Sequence, residues 1–439
     1  MRLTHRILAF TLVLAGATTA GLAAQPPTYH IYAGSTHAHT TFTWSHGAQY
    51  ATNTGCAGIL VYAGTPLGAP PGQWSAGYVK SKKNCPTIYV INGWQFPSPN
   101  VTLKPDWQKF QGPPALHFAD AKAAGYDFYA VTDHSQEAVF NPQTASNPNW
   151  MITKKAAAAA SDAHFVGLAG FEYSENDGPG GTGHLNVFNS ASITNALVPG
   201  HDLPHFYQWL EAAAPNGSGP VLASFNHPGP EQYNNWDYRD PKITNIITML
   251  EVINSNKNIH YQGFINALDK GWKVSPVSGL DNHGTGAITK DTSRTFVLAT
   301  SLTKAAILDA MQHRRTYASL DQDIQCSYTV NGAIMGSTLN RPATLKFLIA
   351  INDPDSTNPK DKITKLDIVT NGGVVVATYT PPAPAYSVRW NPTLHNSTRT
   401  FYFVRVWNAG GGDAPGADPA KPIAWLAPVW TGVGGSGTH

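Results

Sequence analysis

From Tyr29 to about Ala318, one short apolar run after another ends in histidine or an acid, and this recurrence constrains the fold more than any other feature. The first run, Tyr29-His30-Ile31-Tyr32-Ala33, leads into His37-Ala38-His39. Later runs close on Asp133-His134, Glu172, His184, His227 and the pair Asp281/His283. Alternate residues of an extended strand face the same way, so His37 and His39 can share one cation where their strand meets a pocket. A lone His-x-His arises by chance. Its repetition at strand ends makes a site.

Between these runs lie helical patterns, at Ala115–Ala124, Lys154–His164, His205–Ala213, Tyr261–Lys270 and Thr303–Arg314. The strands predicted between them include Asp127–Thr132, Phe165–Tyr173, Leu185–Phe188, Val221–Phe225, Met249–Asn254 and Val274–Leu280. Such alternation predicts an α/β domain over residues 25–320, with a parallel sheet closed or nearly closed as a barrel. Residues 47–111 break the rhythm with Gly, Pro and the tryptophans Trp74, Trp94 and Trp107, and read as an ordered insertion beside the mouth of the sheet. Those indoles either stack on a substrate or pack the insertion's own core. After Asp321 helices give way to seven alternating runs between Gly, Pro, Asn and Asp turns. These predict a small all-β sandwich over residues 321–430, packed against or tethered to the first domain, and a short tail over 431–439.

Net charge is +2 from 29 basic and 27 acidic residues, so no global field draws the chain to nucleic acid or an anionic membrane. Arg2, His5 and Arg6 precede the apolar stretch Ile7–Ala15 and small residues through Ala23-Ala24, the pattern of a secretory signal peptide over residues 1–24. The expectation is an exported protein, periplasmic or secreted, without a lipid or membrane anchor. Of the three cysteines, Cys56 and Cys85 either staple the insertion or stay as thiols, and Cys326 stands apart.

Gathered at one rim, the candidate ligands are His37, His39, His46, His134, Glu172, His184, His227, Asp281 and His283. Seven imidazoles and two carboxylates exceed what one cation takes, so two or three adjacent divalent ions are expected. A mixed His/carboxylate set without thiolate suits zinc, manganese or iron(II) alike. Asp133, on the other side of its strand from His134, is expected to bond a neighbouring loop or a ligand's second nitrogen. For Glu251 a supporting role at the site and a purely structural one are both open. Arg294 and Lys257 are candidates for binding a phosphate, with surface salt bridging as the alternative.

Four motifs in order, Thr36-His37-Ala38-His39-Thr40, Val131-Thr132-Asp133-His134-Ser135, Phe225-Asn226-His227-Pro228 and Gly279-Leu280-Asp281-Asn282-His283-Gly284, resemble the PHP (polymerase and histidinol phosphatase) superfamily over about Tyr29 to Ala318. The resemblance implies a distorted barrel of seven parallel strands, a trinuclear metal centre and phosphoester hydrolysis. By position, His37, His39, Glu172 and Asp281 would hold one ion, with Glu172 bridging to a second held by His184 and His227. His46, His134 and His283 would hold a third, His46 being the loosest match in spacing. Clustered cations would activate a hydroxide for attack on a phosphate mono- or diester, in a small molecule or at a polymer end. No general acid and no oligomeric state is read from the sequence. Two alternatives stand beside this reading. One is hydrolysis of an amide, ester or glycosidic bond at the same centre. The other is a glycan-binding module with a vestigial barrel.

Overall fold

The computed structural model describes residues 27–40, 42–43, 89–91, 94–96, 112–137, 140, 142–174, 182–196, 202–229, 231–255, 258–395 and 399–432. The signal-like segment, His46, Lys257, Cys56, Cys85, Trp74 and Trp107 lie outside them. Of the proposed insertion, the backbone of two short paired strands is described, β2 (Tyr89–Ile91) and β3 (Trp94–Phe96).

The site rests on seven strands: β1 (His30–Ser35), β4 (Phe128–His134), β5 (Val166–Tyr173), β6 (His184–Phe188), β7 (Leu222–Asn226), β8 (Ile247–Asn254) and β10 (Ser275–Gly279). They neighbour one another in the order β10-β8-β7-β6-β5-β4-β1, with the small β9 (Asn258–Ile259) beside β8. The path curls back on itself. Thr36 N donates to Ser278 O, Asp281 N to His37 O and His39 N to Asn282 O, so the chain after β10 lies beside the chain after β1. These bonds, together with a bridge between Ala38 and Asn282, bring the ends together without a full ladder.

The strands are not all parallel as expected, because β6 runs antiparallel to both β5 and β7. Residues 174–183 between β5 and β6 are fewer than the dozen or so that a parallel crossover requires, so the chain turns back. Helices α1 (Pro114–Ala123) and α2 (Pro148–Ala160) make the parallel crossings into and out of β4, and α3 (Leu203–Ala212) joins the antiparallel β6 and β7. Helix α4 (Tyr261–Asp269) makes the parallel crossing from β8 to β10, and α5 (Lys304–Gln312) lies beyond β10 in the chain. Helix α2 begins six residues before the alanine-rich pattern suggests. Asn147 caps it by accepting from Asn149 N and Trp150 N, and Pro148 supplies a first-turn φ at no hydrogen-bond cost.

Strand periodicity explains how the interior divides. One face of β4 carries Phe128, Ala130, Thr132 and His134; one face of β5 carries Val166, Leu168, Gly170 and Glu172. Phe128, Ala130, Val166 and Leu168 join Leu222, Met249 and Val277 in an apolar plug closed by Ile307, Leu308 and Met311 of α5. The same faces, two residues or more further along, turn polar. Tyr129, Val131 and Phe171 of opposite parity pack outward in the larger cluster with the helices.

Two strands that the sequence did not reveal, β11 (Arg294–Ala299) and β12 (Thr316–Ser319), extend the sheet from β1. The C-terminal region adds β13 (Gln325–Val330), β14 (Ala333–Ile334), β15 (Thr344–Asn352), β16 (Ile363–Thr370), β17 (Val374–Tyr379), β18 (Ser387–Trp390), β19 (Thr393–His395), β20 (Phe401–Asn408), β21 (Ala424–Leu426) and β22 (Val429–Trp430). One sheet, β14-β13-β15-β18 with β19, faces a second, β21-β20-β16-β17, across a core of Tyr328, Phe347, Ile349, Leu366, Ile368 and Val404. The two regions are fused and not merely packed: β21 pairs with β12, so one sheet runs from the first region into the second. Among the described residues, no helix is long and apolar enough to cross a membrane.

Candidate metal centre

Every described candidate ligand arrives at one end of the strands. His134 ends β4 and Glu172 lies one residue short of the end of β5, while His184 opens the reversed β6, at the same level because it pairs with Asn226 at the end of β7. An antiparallel strand therefore contributes its first residue where its neighbours contribute their last. His227 and Asp281 follow β7 and β10 in left-handed backbone, at φ 29° and 48°, a costly conformation that surrounding bonds must hold.

The side chains interlock. His37, His39 and Glu172 place one donor atom each within 4.8 Å of one another, as do Glu172, His184 and His227, and again His39, Asp281 and His283. Glu172 and His39 are each shared between two triads. His37 Nε2 lies 3.0 Å from His39 Nε2, 3.3 Å from Glu172 Oε1 and 3.5 Å from Asp281 Oδ1. His134 Nε2 reaches Glu172 Oε2 at 2.9 Å. His37, His39 and Glu172 are fully buried.

Supporting groups fix these rings. Glu251, also fully buried, receives His37 Nδ1 on Oε1 at 2.8 Å, which leaves the His37 Nε2 lone pair facing the cluster. Its other oxygen accepts from His227 N and Asn254 Nδ2. Of the two roles left open for Glu251, the geometry favours support of the site. Asp133 takes the loop alternative: its carboxylate accepts from the backbone N and the hydroxyl of both Thr40 and Thr43. That clamp seats the chain after His39. Asn226 Nδ2 donates to Glu172 Oε1 at 2.9 Å.

Charge in the cluster is strongly coupled. Burial opposes ionisation of Glu172, but the imidazoles of His184, His37 and His134 outweigh it and hold the carboxyl well below its usual range. Burial likewise opposes Asp281, and His37 and His39 keep it well below as well. For His227 burial lowers the pKa while Glu172 and Asp281 raise it, with a net value of about 9. His39 goes the other way, to about 3, through burial and the neighbouring His134. The pocket thus demands positive charge that its own imidazoles cannot all carry together. Nitrogen and carboxylate lone pairs crowded at 3.0–3.5 Å with little solvent are a donor set that divalent cations satisfy.

A cavity of about 280 Å³ opens over the cluster, lined by His134, Glu172, His184, His227, Asp281 and His283 together with Asn254, Asn258 and His260. The last three were not singled out in the sequence. Asn254 ends the β8 run and was open to the same strand-end reasoning; His260, an isolated histidine before α4, offered no pattern. Arg294 does not line this cavity. Its guanidinium stacks 3.8 Å from the Tyr126 ring centroid and donates to Asp291 O and Ser293 O, so it is a packed arginine and not the expected phosphate ligand. It opens β11, which runs antiparallel to β1 with Thr295 opposite Gly34, so its backbone starts level with the mouth while its side chain turns onto Tyr126.

Among solved structures, the chain is similar to a two-domain protein from Bacteroides vulgatus ATCC 8482 containing a predicted PHP-like metal-dependent phosphoesterase. The match covers 94% of this chain and 100% of that one, at 14% identity and a TM-score of 0.41, too distant for function to be transferred. No family model matches, and no curated protein matches.

Proposed function

We propose that this chain is a metal-dependent hydrolase of phosphate mono- or diesters. The observation that carries the reading is the set of triads interlocked through Glu172 and His39 beneath a small cavity. His37, His39, Glu172 and Asp281 would hold one ion, Glu172, His184 and His227 a second, and His134 and His283 a third with His46. Divalent zinc, manganese or iron bound there would acidify a water and offset charge on a phosphoryl group. Glu251 keeps the His37 proton on Nδ1, Asn226 orients Glu172, and burial of all four keeps competing water from the donors. Asn254, Asn258 and His260 form the wall that a substrate meets. The phosphoester itself is supported by the four-motif resemblance to the PHP superfamily.

A second reading, hydrolysis of an uncharged ester or amide, is favoured by one observation. Among the described residues no Lys or Arg lines the cavity, so no fixed side-chain cation awaits a dianion. The test is elemental analysis of purified protein beside a panel of chromogenic phosphoesters, carboxyl esters and anilides. The first reading expects at least two transition-metal ions per chain and phosphoester turnover, with kcat/KM falling at least about a hundredfold in Glu172→Gln. Full metal loading with turnover of carboxyl esters or anilides alone would replace it by the second. Export remains part of the proposal. N-terminal sequencing of protein recovered outside the cytoplasm should begin near Gln25.

A further inference from the structure

Far from the histidines, a second group of oxygen donors gathers where the first sheet passes into the C-terminal region. Asp321 and Asp323 follow β12, Asp353 follows β15, and each offers a carboxylate oxygen within 4.8 Å of the others. Asp321 is fully buried and Asp353 is 2% exposed. Asp361, before β16, and Asp413, after β20, add further negative charge, each acting on members of the group. Carboxylates brought together out of water repel one another unless something positive lies between them.

The hydrogen bonds show which oxygens are already satisfied. Asp321 Oδ1 accepts from Asp323 N and Ile324 N, and Asp321 Oδ2 accepts from Asn408 Nδ2. Asp353 Oδ1 accepts from Asp355 N. Asp353 Oδ2 is buried with no N–H or hydroxyl donating to it, and the Asp353 carboxyl abuts that of Asp321. A buried carboxylate oxygen without a donor costs several kilocalories as an anion, so its natural partner is a cation.

We propose that Asp321, Asp323 and Asp353 hold one hard divalent cation of the calcium type, which cross-links the connections at the junction of the two regions. The donors are all oxygen, with no imidazole or thiolate in the triad, the preference of calcium and not of the metals that suit the histidine cluster. The site is placed to matter. Leu320 N donates to Ile423 O and Asp413 N to Leu320 O, so the β12–β13 and β20–β21 connections meet beside it. Without a cation, burial and then Asp413, Asp353 and Asp323 push Asp321 well above the usual carboxylate range, and burial with Asp323 and Asp361 lifts Asp353 to about 7.

The experiment is calcium titration of the full chain by equilibrium dialysis and by thermal melting, in wild type, His39→Ala and Asp353→Asn. The expected result is about one calcium per chain and a raised melting temperature in wild type, both kept in His39→Ala and both lost in Asp353→Asn. In calcium-free buffer Asp353→Asn should melt at or above wild type, because it removes a repelling charge. In millimolar calcium the order should reverse, which a merely structural aspartate would not produce. Should Asp353→Asn fail to fold, the exposed Asp323→Asn serves with the same expectation. A wild type that neither binds calcium nor gains stability at millimolar concentration overturns the proposal and leaves carboxyls sharing protons. Calcium binding retained in the aspartate variant, or abolished in His39→Ala, overturns it equally.

Discussion

Asp133 concentrates four hydrogen bonds on one carboxylate, from the backbone N and hydroxyl of both Thr40 and Thr43. Replacing it with alanine removes a shared charged acceptor from two backbone N–H groups and two hydroxyls in a buried loop, at a cost of about 2 kcal/mol by denaturant unfolding. Metal affinity should fall about 10–100-fold with it, because the clamp seats the chain after His39. Gly279 tests close approach in place of bonding. A Cβ there would lie 2.0 Å from Glu251 Oε1 and 2.5 Å from His37 Cβ, so Gly279→Ala must push the acid off the imidazole. The expected loss is about 1–3 kcal/mol of stability, with metal content reduced in the same preparation. Asp353 gives a pH test. In the cation-free fold it keeps its proton to about pH 7 against an ordinary 3.8, so the folded state binds that proton more tightly. Its stabilising neutral form is then lost as pH rises from about 4 to about 7. Calcium-free Asp353→Asn, which has no charge to develop, should gain melting temperature relative to wild type across that window. A difference that stays flat with pH would contradict this assignment.

Between residue and molecule, the segment Gln232–Trp236 has no counterpart among the other described helices. Tyr233, Asn234, Asn235 and Trp236 all have φ between 51° and 66°, a left-handed turn that L-residues adopt at a cost of about 1–2 kcal/mol each. Burial of the Tyr233 and Trp236 rings against Phe225 offsets that cost, and the Tyr233 hydroxyl, 2.7 Å from His184 O and 2.8 Å from Asn226 O, ties the start of β6 to the end of β7. Tyr233→Phe should therefore cost only about 1 kcal/mol of stability yet weaken the ion proposed at Glu172, His184 and His227 more than the one proposed at His37 and His39. Metal-by-metal dissociation under a competing chelator reads the difference. No periodicity could have announced this turn, since it depends on strands distant in sequence. The strand ends themselves were legible, because period-two faces carry the apolar plug and the ligands on the same parity, as in Phe128, Ala130, Thr132, His134. The reversal of β6 was less so: His184 was found by composition, whereas its direction follows from the length of a loop. Arg294 was misread because charge suggests solvent, and only packing on Tyr126 reveals a buried cation.

At the scale of the whole chain, the alternation after Asp321 revealed a sandwich but not its fusion to the first region, since pairing of Ser319 with Ala424 leaves no local trace. The fusion changes what truncation would do. A chain ending at Leu320 loses β21 and so exposes β12 as an open edge. It also loses Phe401, Phe403, Trp425 and Trp430, which belong to the same apolar cluster as Phe264, Leu268 and Trp272. Phe403 stacks edge-on against Phe264 at 5.4 Å, and Asp269 at the end of α4 accepts from Gly372 N and Asn371 Nδ2. Burying each large aromatic contributes about 1.5–3 kcal/mol, so four of them approach about 6–12 kcal/mol. That is comparable to the entire stability of an ordinary domain, about 5–15 kcal/mol. The first region alone should therefore show no cooperative melt and should self-associate, losing its metal along with its fold. Calorimetry and light scattering on the fragment and the full chain decide it. A monomeric fragment with a sharp transition near that of the full chain would mean that the sandwich is an appendage and not a wall of the first core.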